Sequence, residues 1–388
     1  MIPRNQHLQA VRDLLDRHPV VAIIGSRQVG KTTLAQALAS GDDPAAQFDL
    51  ENPTDQARLS DPMLALEPLS GLVVLDEIQH QPELFPVLRV LADQSRNDPH
   101  ERRFLILGSA SPKLLRQTSE SLAGRIVYHE LPGFRLEEVG VERANELWLR
   151  GSFPRSFLAE DDDASAEWRR AFIQTFLQRD LPQLGLNIAS ATMRRFWTML
   201  AHYHGQLWNA SELARAFGVN DTTVRRYLDL LTSTFVVRQL QPWHENLKKR
   251  QVKSPKIYLS DSGLLHSLLN LETARDLEGH PKVGASWEGF AMAEVVTRLG
   301  ARPDECFFWA THAGAELDLL VVHGSRRLGF EFKRTSAPKT TRSMHSALHD
   351  LKLEQLDVVY PGTTTFPLAD NIRALPLVRV REDLDPLT

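Results

Sequence analysis

The sequence predicts a multidomain α/β protein, and three observations carry that expectation. Its 388 residues exceed the roughly 100 to 200 of one ordinary domain, so two to four domains are expected. Short apolar runs at Val20–Ile24, Val73–Leu75 and Arg103–Gly108, the first of them β-branched, have the character of buried parallel strands. A separate hairpin pattern between Leu317 and Lys333 places a second sheet near the C-terminus. Hydrophobic residues make up 42% and charged residues 24%, as in soluble globular proteins, and the net charge of −4 provides no global basic field. Any nucleic-acid contact must therefore be local. The one cysteine, Cys306, excludes an internal disulfide framework and a cysteine-based zinc site, and a reducing, cytoplasmic location is expected. The N-terminus MIPRNQHLQAVRD has no signal-peptide core, and no apolar run approaches about 18 residues, so no membrane association is expected.

The first run leads into Gly25-Ser26-Arg27-Gln28-Val29-Gly30-Lys31-Thr32-Thr33, which matches G-x-x-x-x-G-K-[ST] at every fixed position. Two glycines let successive backbone N–H groups turn toward one point, and the helix beginning near Lys31 adds its N-terminal dipole. Polyphosphate suits such a cradle. Lys31 would reach the β and γ phosphates of ATP, and the Thr32 hydroxyl would ligate Mg²⁺. In GLVVLDEIQ, Asp76 and Glu77 stand at a strand's carboxyl end, where open α/β sheets place ligands. Asp76 would hold Mg²⁺ through water and Glu77 would take a proton from the attacking water, the alternative being an ordinary acidic pair. Ser109, after the third strand, would orient water or sense the γ-phosphate, or simply cap the following helix.

Together with LILGSAS, SLAGRIVYHELPGF, GSFPRSFL and FIQTFLQRDLPQL, these motifs resemble the AAA+-like P-loop ATPases, specifically the bacterial and archaeal family in which an AAA-type domain precedes a domain of unknown function called DUF4143. The resemblance covers nearly the whole chain. It implies that Arg125, in Ser121-Leu-Ala-Gly-Arg125, reaches a γ-phosphate in cis or in trans; from the residues alone Arg125 is equally a helix C-terminal cation.

From Asn209 the pattern changes to short amphipathic helices: SELARAF, a turn at Gly218-Val219-Asn220, then DTTVRRYLDLL. Ser211 and Asp221 are the expected N-caps, and Leu213, Val224, Leu228 and Leu231 the expected core. FVVRQLQPW and ENLKKRQVKSPKIYLS would add the strands and basic loop of a winged helix-turn-helix. Between Asn209 and Tyr258 nine Lys or Arg face four Asp or Glu, a local charge of +5. DNA is the expected partner, through Thr222, Thr223, Arg225 and Arg226 at the start of the second helix, with protein docking as the alternative. His202 and His204 are expected at the surface or at a cap, and Trp197, Trp208 and Trp243 in packing.

A two-residue turn at Gly324-Ser325 pairs residues whose numbers sum to 649. Asp318 then opposes Glu331, Glu316 opposes Lys333, and Leu317, Leu319 and Val321 meet Phe332, Phe330 and Leu328. Opposed carboxylates repel unless a cation bridges them, and a divalent metal would do so. Glu288 adds a carboxylate on the apolar stripe of the preceding helix and asks for a partner. The order helix-Glu, strand-Asp, Glu-x-Lys resembles the PD-(D/E)xK nuclease fold. That resemblance implies Mg²⁺ on Asp318 and Glu331, Glu288 completing the acidic cluster, and Lys333 activating water. Leu317 replaces the proline of the family's name, and the alternative is a sheet with a salted outer face. The expected layout is an ATPase at 1–140, a helical connector at 141–200, a winged helix-turn-helix at 201–267 and the nuclease-like α/β domain at 268–388. A homo-oligomer and a protein partner remain open.

Overall fold

The computed structural model describes residues 2–40, 45–94, 102–108, 121–183, 188–244, 253–312 and 314–387. Two compact units emerge, one of residues 1–134 with Ser233–Phe235, the other of Arg135–Thr232 with Val236–Thr388.

In the first unit, five strands form one parallel sheet in the order β2-β3-β4-β1-β5, with β1 at Val20–Ile24, β2 at Ala45–Asp49, β3 at Leu72–Asp76, β4 at Arg103–Leu107 and β5 at Ile126–Glu130. All pairings in it are parallel, so every carboxyl end points to the same edge. The predicted strands are there for the expected reason: Val20, Val21, Ile23, Val73, Leu75, Phe104 and Leu107 are each fully buried, with helices supplying the cover. Because β4 lies between β1 and β3, its carboxyl end at Leu107 stands between the strands that carry the glycine-rich loop and Asp76. Ser109 lies outside the described residues.

The second unit differs from the expected division. The strands of two predicted pieces, 201–267 and 268–388, share one nine-stranded sheet, ordered β13-β14-β12-β11-β10-β9-β7-β8-β6. Its members used below are β6 (Gln206–Leu207), β7 (Val237–Pro242), β8 (Lys256–Leu259), β9 (Cys306–Ala310), β10 (Glu316–His323), β11 (Arg326–Phe332) and β12 (Gln355–Tyr360). The join is β7, which runs antiparallel to β8 on one side and pairs in parallel with β9 on the other, through Gln241 with Phe307 and Pro242 with Phe308. Trp243 extends the join by donating its N–H to the Phe308 carbonyl at 2.7 Å. A strand with both edges paired makes the sheet continuous across residue 267.

Helices Ala210–Phe217 and Asp221–Ser233 form where expected, with Leu213, Val224, Leu228 and Leu231 buried. Their caps differ from the prediction. Asn209 accepts from the Glu212 N–H at 3.2 Å and Asn220 from the Thr223 N–H at 2.8 Å. Ser211 instead donates to Asp221 at 2.7 Å, tying one helix to the next. The basic loop that would follow falls largely on residues 245–252, outside the described residues. Trp197 and Trp208 are core residues as expected, and Trp243 stacks edge-on with Phe307. His204, in contrast, is 2% exposed rather than a surface residue: its Nδ1 accepts the Leu259 N–H at 3.0 Å. Burial lowers its pKa to about 3 and keeps it neutral.

The β10–β11 hairpin keeps the predicted register from Leu319 with Phe330 to His323 with Arg326. Gly324 takes a left-handed φ of 59°, as the tight turn requires. Asp318 and Glu331, next in that register, also meet, while on its other edge β10 carries a bulge against β9 between Leu317 and Leu320. Leu317 and Leu320, of opposite parity, consequently pack in one apolar cluster with Trp309, Met344 and Val358.

Candidate functional site

At the first site the loop after β1 ends on Gly30, whose φ of 96° caps the helix Lys31–Ala39, and a Cβ there would point into open space. Gly25 has no such freedom: a Cβ would lie 2.4 Å from the Leu131 carbonyl oxygen. Any side chain at Gly25 would push the loop off the sheet. Gln28 and Glu77 both adopt left-handed backbone, at φ 64° and 53°. Such conformations are strained for residues with a Cβ and concentrate at functional sites.

Lys31 donates from Nζ to the carbonyls of Gly25 at 3.1 Å and Ser26 at 2.9 Å. Burial lowers its pKa to about 8, against the pull of Glu77 and Asp76. Thr32 Oγ1 donates to Asp76 Oδ2 at 2.8 Å, and Asp76 Oδ1 accepts the Glu77 N–H at 2.9 Å. Burial raises the Asp76 pKa, while the Thr32 hydrogen bond opposes the rise. Glu77 accepts from the Gln79 side-chain amide. A hydroxyl and a carboxylate at one point beside a lysine are the hard-oxygen donors that Mg²⁺ takes, and the open cradle above Gly30 suits phosphate, so these residues fit a magnesium nucleotide.

The rest of the loop is held in place. Val29 is buried, Arg27 pairs with Glu51 at 3.4 Å, Thr33 is exposed, and Ser26 donates to the Thr234 carbonyl at 3.2 Å within the same unit. Arg4, which sequence reading missed, donates to the carbonyls of Val29, Pro132 and Gly133 at 3.3, 2.8 and 3.2 Å, bolting the loop to the segment after β5. Its only signal was an arginine just before the first helix.

Arg125 sits elsewhere. It immediately precedes β5, whose first residue Ile126 pairs with Val20, the first residue of β1. That is the amino end of the sheet, about 16 Å from the loop for five residues of strand. Its guanidinium is bound to Asp93 at 2.5 and 2.9 Å beside a cleft of about 420 Å³. This placement does not bring Arg125 to the phosphate cradle of its own sheet.

The C-terminal residues do come together, with two partners that sequence reading did not supply. Asp318 and Glu331 are 6% and 4% exposed, so they do not form a wet outer face. Asp318 Oδ2 accepts the Phe332 N–H at 3.0 Å and lies 3.7 Å from Lys333 Nζ, which pairs with Glu331 at 2.7 Å. Glu316 does not meet Lys333. It pairs with Lys256 of β8, whose Nζ also lies 3.6 Å from Asp318 Oδ1. Tyr258, two residues along the same strand, donates to Glu288 on the helix Val283–Leu299 at 2.6 Å. Burial, reinforced by Asp318, holds Glu331 and Glu288 above the ordinary carboxylate range. Burial lowers Lys256, but Asp318, Glu288 and Glu316 outweigh it and hold the lysine charged. Two ammonium groups lie within 3.7 Å of Asp318, a charge arrangement that does not fit a metal as the P-loop does.

A parallel sheet with a phosphate loop at its carboxyl edge and an acidic strand end across from it defines a P-loop ATPase fold. The family models agree: an AAA domain matches residues 17–140, a domain of unknown function (DUF8612) residues 141–275, and a second one (DUF4143) residues 283–380. The chain is 53% identical over 376 residues to the uncharacterized proteins Rv2008c of Mycobacterium tuberculosis and Mb2031c of Mycobacterium bovis, covering 97% of this chain and 84% of each relative. It belongs to their family, the AAA-type ATPases with a C-terminal DUF4143 domain. Among solved structures, the Walker-type ATPase PABY2304 of Pyrococcus abyssi matches in fold, with a TM-score of 0.51 and 14% identity over 69% of this chain and 96% of that one. No helix among the described residues is long and apolar enough to cross a membrane.

Proposed function

We propose that this protein is a cytoplasmic ATP-hydrolysing switch that acts on DNA through the helices and strands of residues 190–259. The observation carrying the ATPase reading is the Thr32–Asp76 hydrogen bond of 2.8 Å beside Lys31. In this reading the Lys31 ammonium and the amino end of its helix hold the phosphates, and Thr32 and Asp76 hold Mg²⁺. The ion supplies charge neutralisation on the phosphate oxygens. Glu77, kept in its left-handed turn and steadied by Gln79, accepts the proton of the attacking water. Arg125 would serve a neighbouring copy, which makes a homo-oligomer the expected assembly.

The DNA reading rests on the exposure of Thr222, Arg225 and Arg226 along the first turns of helix Asp221–Ser233 and on the local charge of +5. That helix runs into the Ser233–Phe235 turn, where Thr234 accepts the Ser26 hydroxyl, so a nucleotide-dependent change at Ser26 has a covalent route to the helix. Phosphate release by the full chain with Mg²⁺ tests the first half: Lys31→Ala and Asp76→Asn should each reduce it by about 10²-fold or more, and turnover undiminished in both would refute the assignment. Fluorescence anisotropy with a short duplex tests the second. Arg225→Ala/Arg226→Ala should weaken binding and flatten its logarithmic salt slope by about 2; a wild type that binds no duplex would discard the DNA reading. A second reading, a nucleotide-gated scaffold whose C-terminal part binds a partner without cleavage, is favoured by the lysines already paired with the C-terminal carboxylates.

A further inference from the structure

The C-terminal carboxylates keep the arrangement that suggests metal-dependent cleavage: Glu288 on a helix, Asp318 on β10, Glu331 on β11 and Lys333 two residues on. Asp318 would have to be the shared ligand, yet it already hydrogen-bonds within the fold, to Glu331 as well as to backbone, and has an ammonium beside each oxygen. Lys256 lies 3.6 Å from Oδ1, while Oδ2 takes the Phe332 N–H at 3.0 Å and has Lys333 at 3.7 Å. Magnesium demands near-octahedral oxygen at about 2.1 Å, and a second positive charge adjacent to it is strongly unfavourable. Lys256 is no mobile surface lysine that a metal would displace. It is 4% exposed, its stem runs from β8, and its ammonium lies 5.6 Å from the centroid of the Phe308 ring. Moving it out would leave the buried Asp318 with Lys333 at 3.7 Å and return the half-exposed Glu316 to solvent.

We infer that Lys256 takes the place a divalent cation would occupy, so that this cluster binds no metal and does not cut nucleic acid. Its role is a clasp. Lys256 fastens β8 to Glu316 and Asp318 of β10, and Tyr258 fastens the same strand to Glu288 of the 283–299 helix. The residues that resemble a nuclease site thereby join the strand of the helix-turn-helix segment to the C-terminal strands as one body. This holds whether or not the chain hydrolyses ATP.

The test is Mn²⁺ titration of the full chain without nucleotide, read by electron paramagnetic resonance, for wild type, Asp318→Asn, Lys256→Met and the Lys256→Met/Asp318→Asn double variant. Plasmid nicking in Mn²⁺ and melting temperature are followed in parallel. Wild type and Asp318→Asn should bind Mn²⁺ alike, and no Asp318-dependent nicking should occur. Lys256→Met should melt lower, gain about one bound Mn²⁺ that the double variant lacks, and recover melting temperature when Mn²⁺ is added. Bound Mn²⁺ in wild type that Asp318→Asn loses, or Asp318-dependent nicking by wild type, would overturn the inference. A folded Lys256→Met that gains no Mn²⁺ would overturn it too. If Lys256→Met does not fold, the comparison of wild type with Asp318→Asn decides.

Discussion

Two sites in this protein are assembled from the same residue types, lysine and carboxylate at a strand end, and they use them in opposite ways. At the P-loop, Lys31 donates to carbonyls of its own loop and leaves Asp76 to a threonine hydroxyl. At the C-terminal cluster, Lys256 and Lys333 donate directly to Glu316 and Glu331, and both lie against Asp318. A lysine kept off the acids leaves a place for a metal and a phosphate. Lysines placed on the acids satisfy them from within the fold. Charge composition alone does not separate these cases, since each has acids in excess of lysines; the direction in which each ammonium points does.

The strongest way to break this comparison is to remove a lysine from each site. Lys256→Met should cost about 2 to 3 kcal/mol, because it takes one of two neighbouring cations from the buried Asp318. All seven tryptophans lie between Trp148 and Trp309, inside the second unit, so urea unfolding followed by tryptophan fluorescence reports on that unit alone. A midpoint unchanged from wild type would mean that the clasp contributes nothing. Lys31→Ala should leave that transition where it is and instead reduce ATP turnover by about 10² to 10³-fold, the usual cost of deleting a donor to developing oxygen charge.

The pH dependence should also differ from that of an ordinary lysine contact. Lys31 loses its proton near pH 8 in the free protein, because burial disfavours its charge. Phosphate would raise that pKa, so binding takes up a proton, and affinity falls as pH rises through the free-state value. A fluorescent ATP analogue should therefore bind about tenfold more weakly at pH 9 than at pH 7. A flat profile would mean that Lys31 stays charged throughout and that its burial is not felt. The smallest effect calibrates the largest: Asn220→Ala removes one neutral cap from the second unit and should cost about 1 kcal/mol in the same urea experiment. If it equals the Lys256→Met loss, the buried lysine has no special standing.

How far the sequence could be read depended on how local each feature is. The loop from Gly25 to Thr33 was legible because its geometry is made by consecutive residues: a buried strand before, two glycines within, a helix after. The hairpin register was legible from Leu319 to Arg326 for the same reason, since a two-residue turn sets the pairing nearby. Asp318 still meets Glu331, but the expectation failed at Glu316, which pairs with Lys256 of β8, a strand outside the hairpin. Lys256 was counted as one more charge of a basic wing. Its alternation with Tyr258 on one side of a strand was visible, but nothing in SPKIYLS says that the strand lies against an acidic cluster some sixty residues on.

By itself, then, the sequence determined the phosphate loop, the acidic strand end, the two helices between Ala210 and Ser233 and the carboxylates of the last third, because each is encoded by neighbours along the chain. Tertiary structure decided that Arg125 stands at the amino end of the sheet, that β7 joins two expected domains into one sheet, and that Lys256 meets Glu316 and Asp318. Those outcomes depend on which strands become neighbours. That is set by the burial of apolar faces across the whole unit, and no short window of residues contains it.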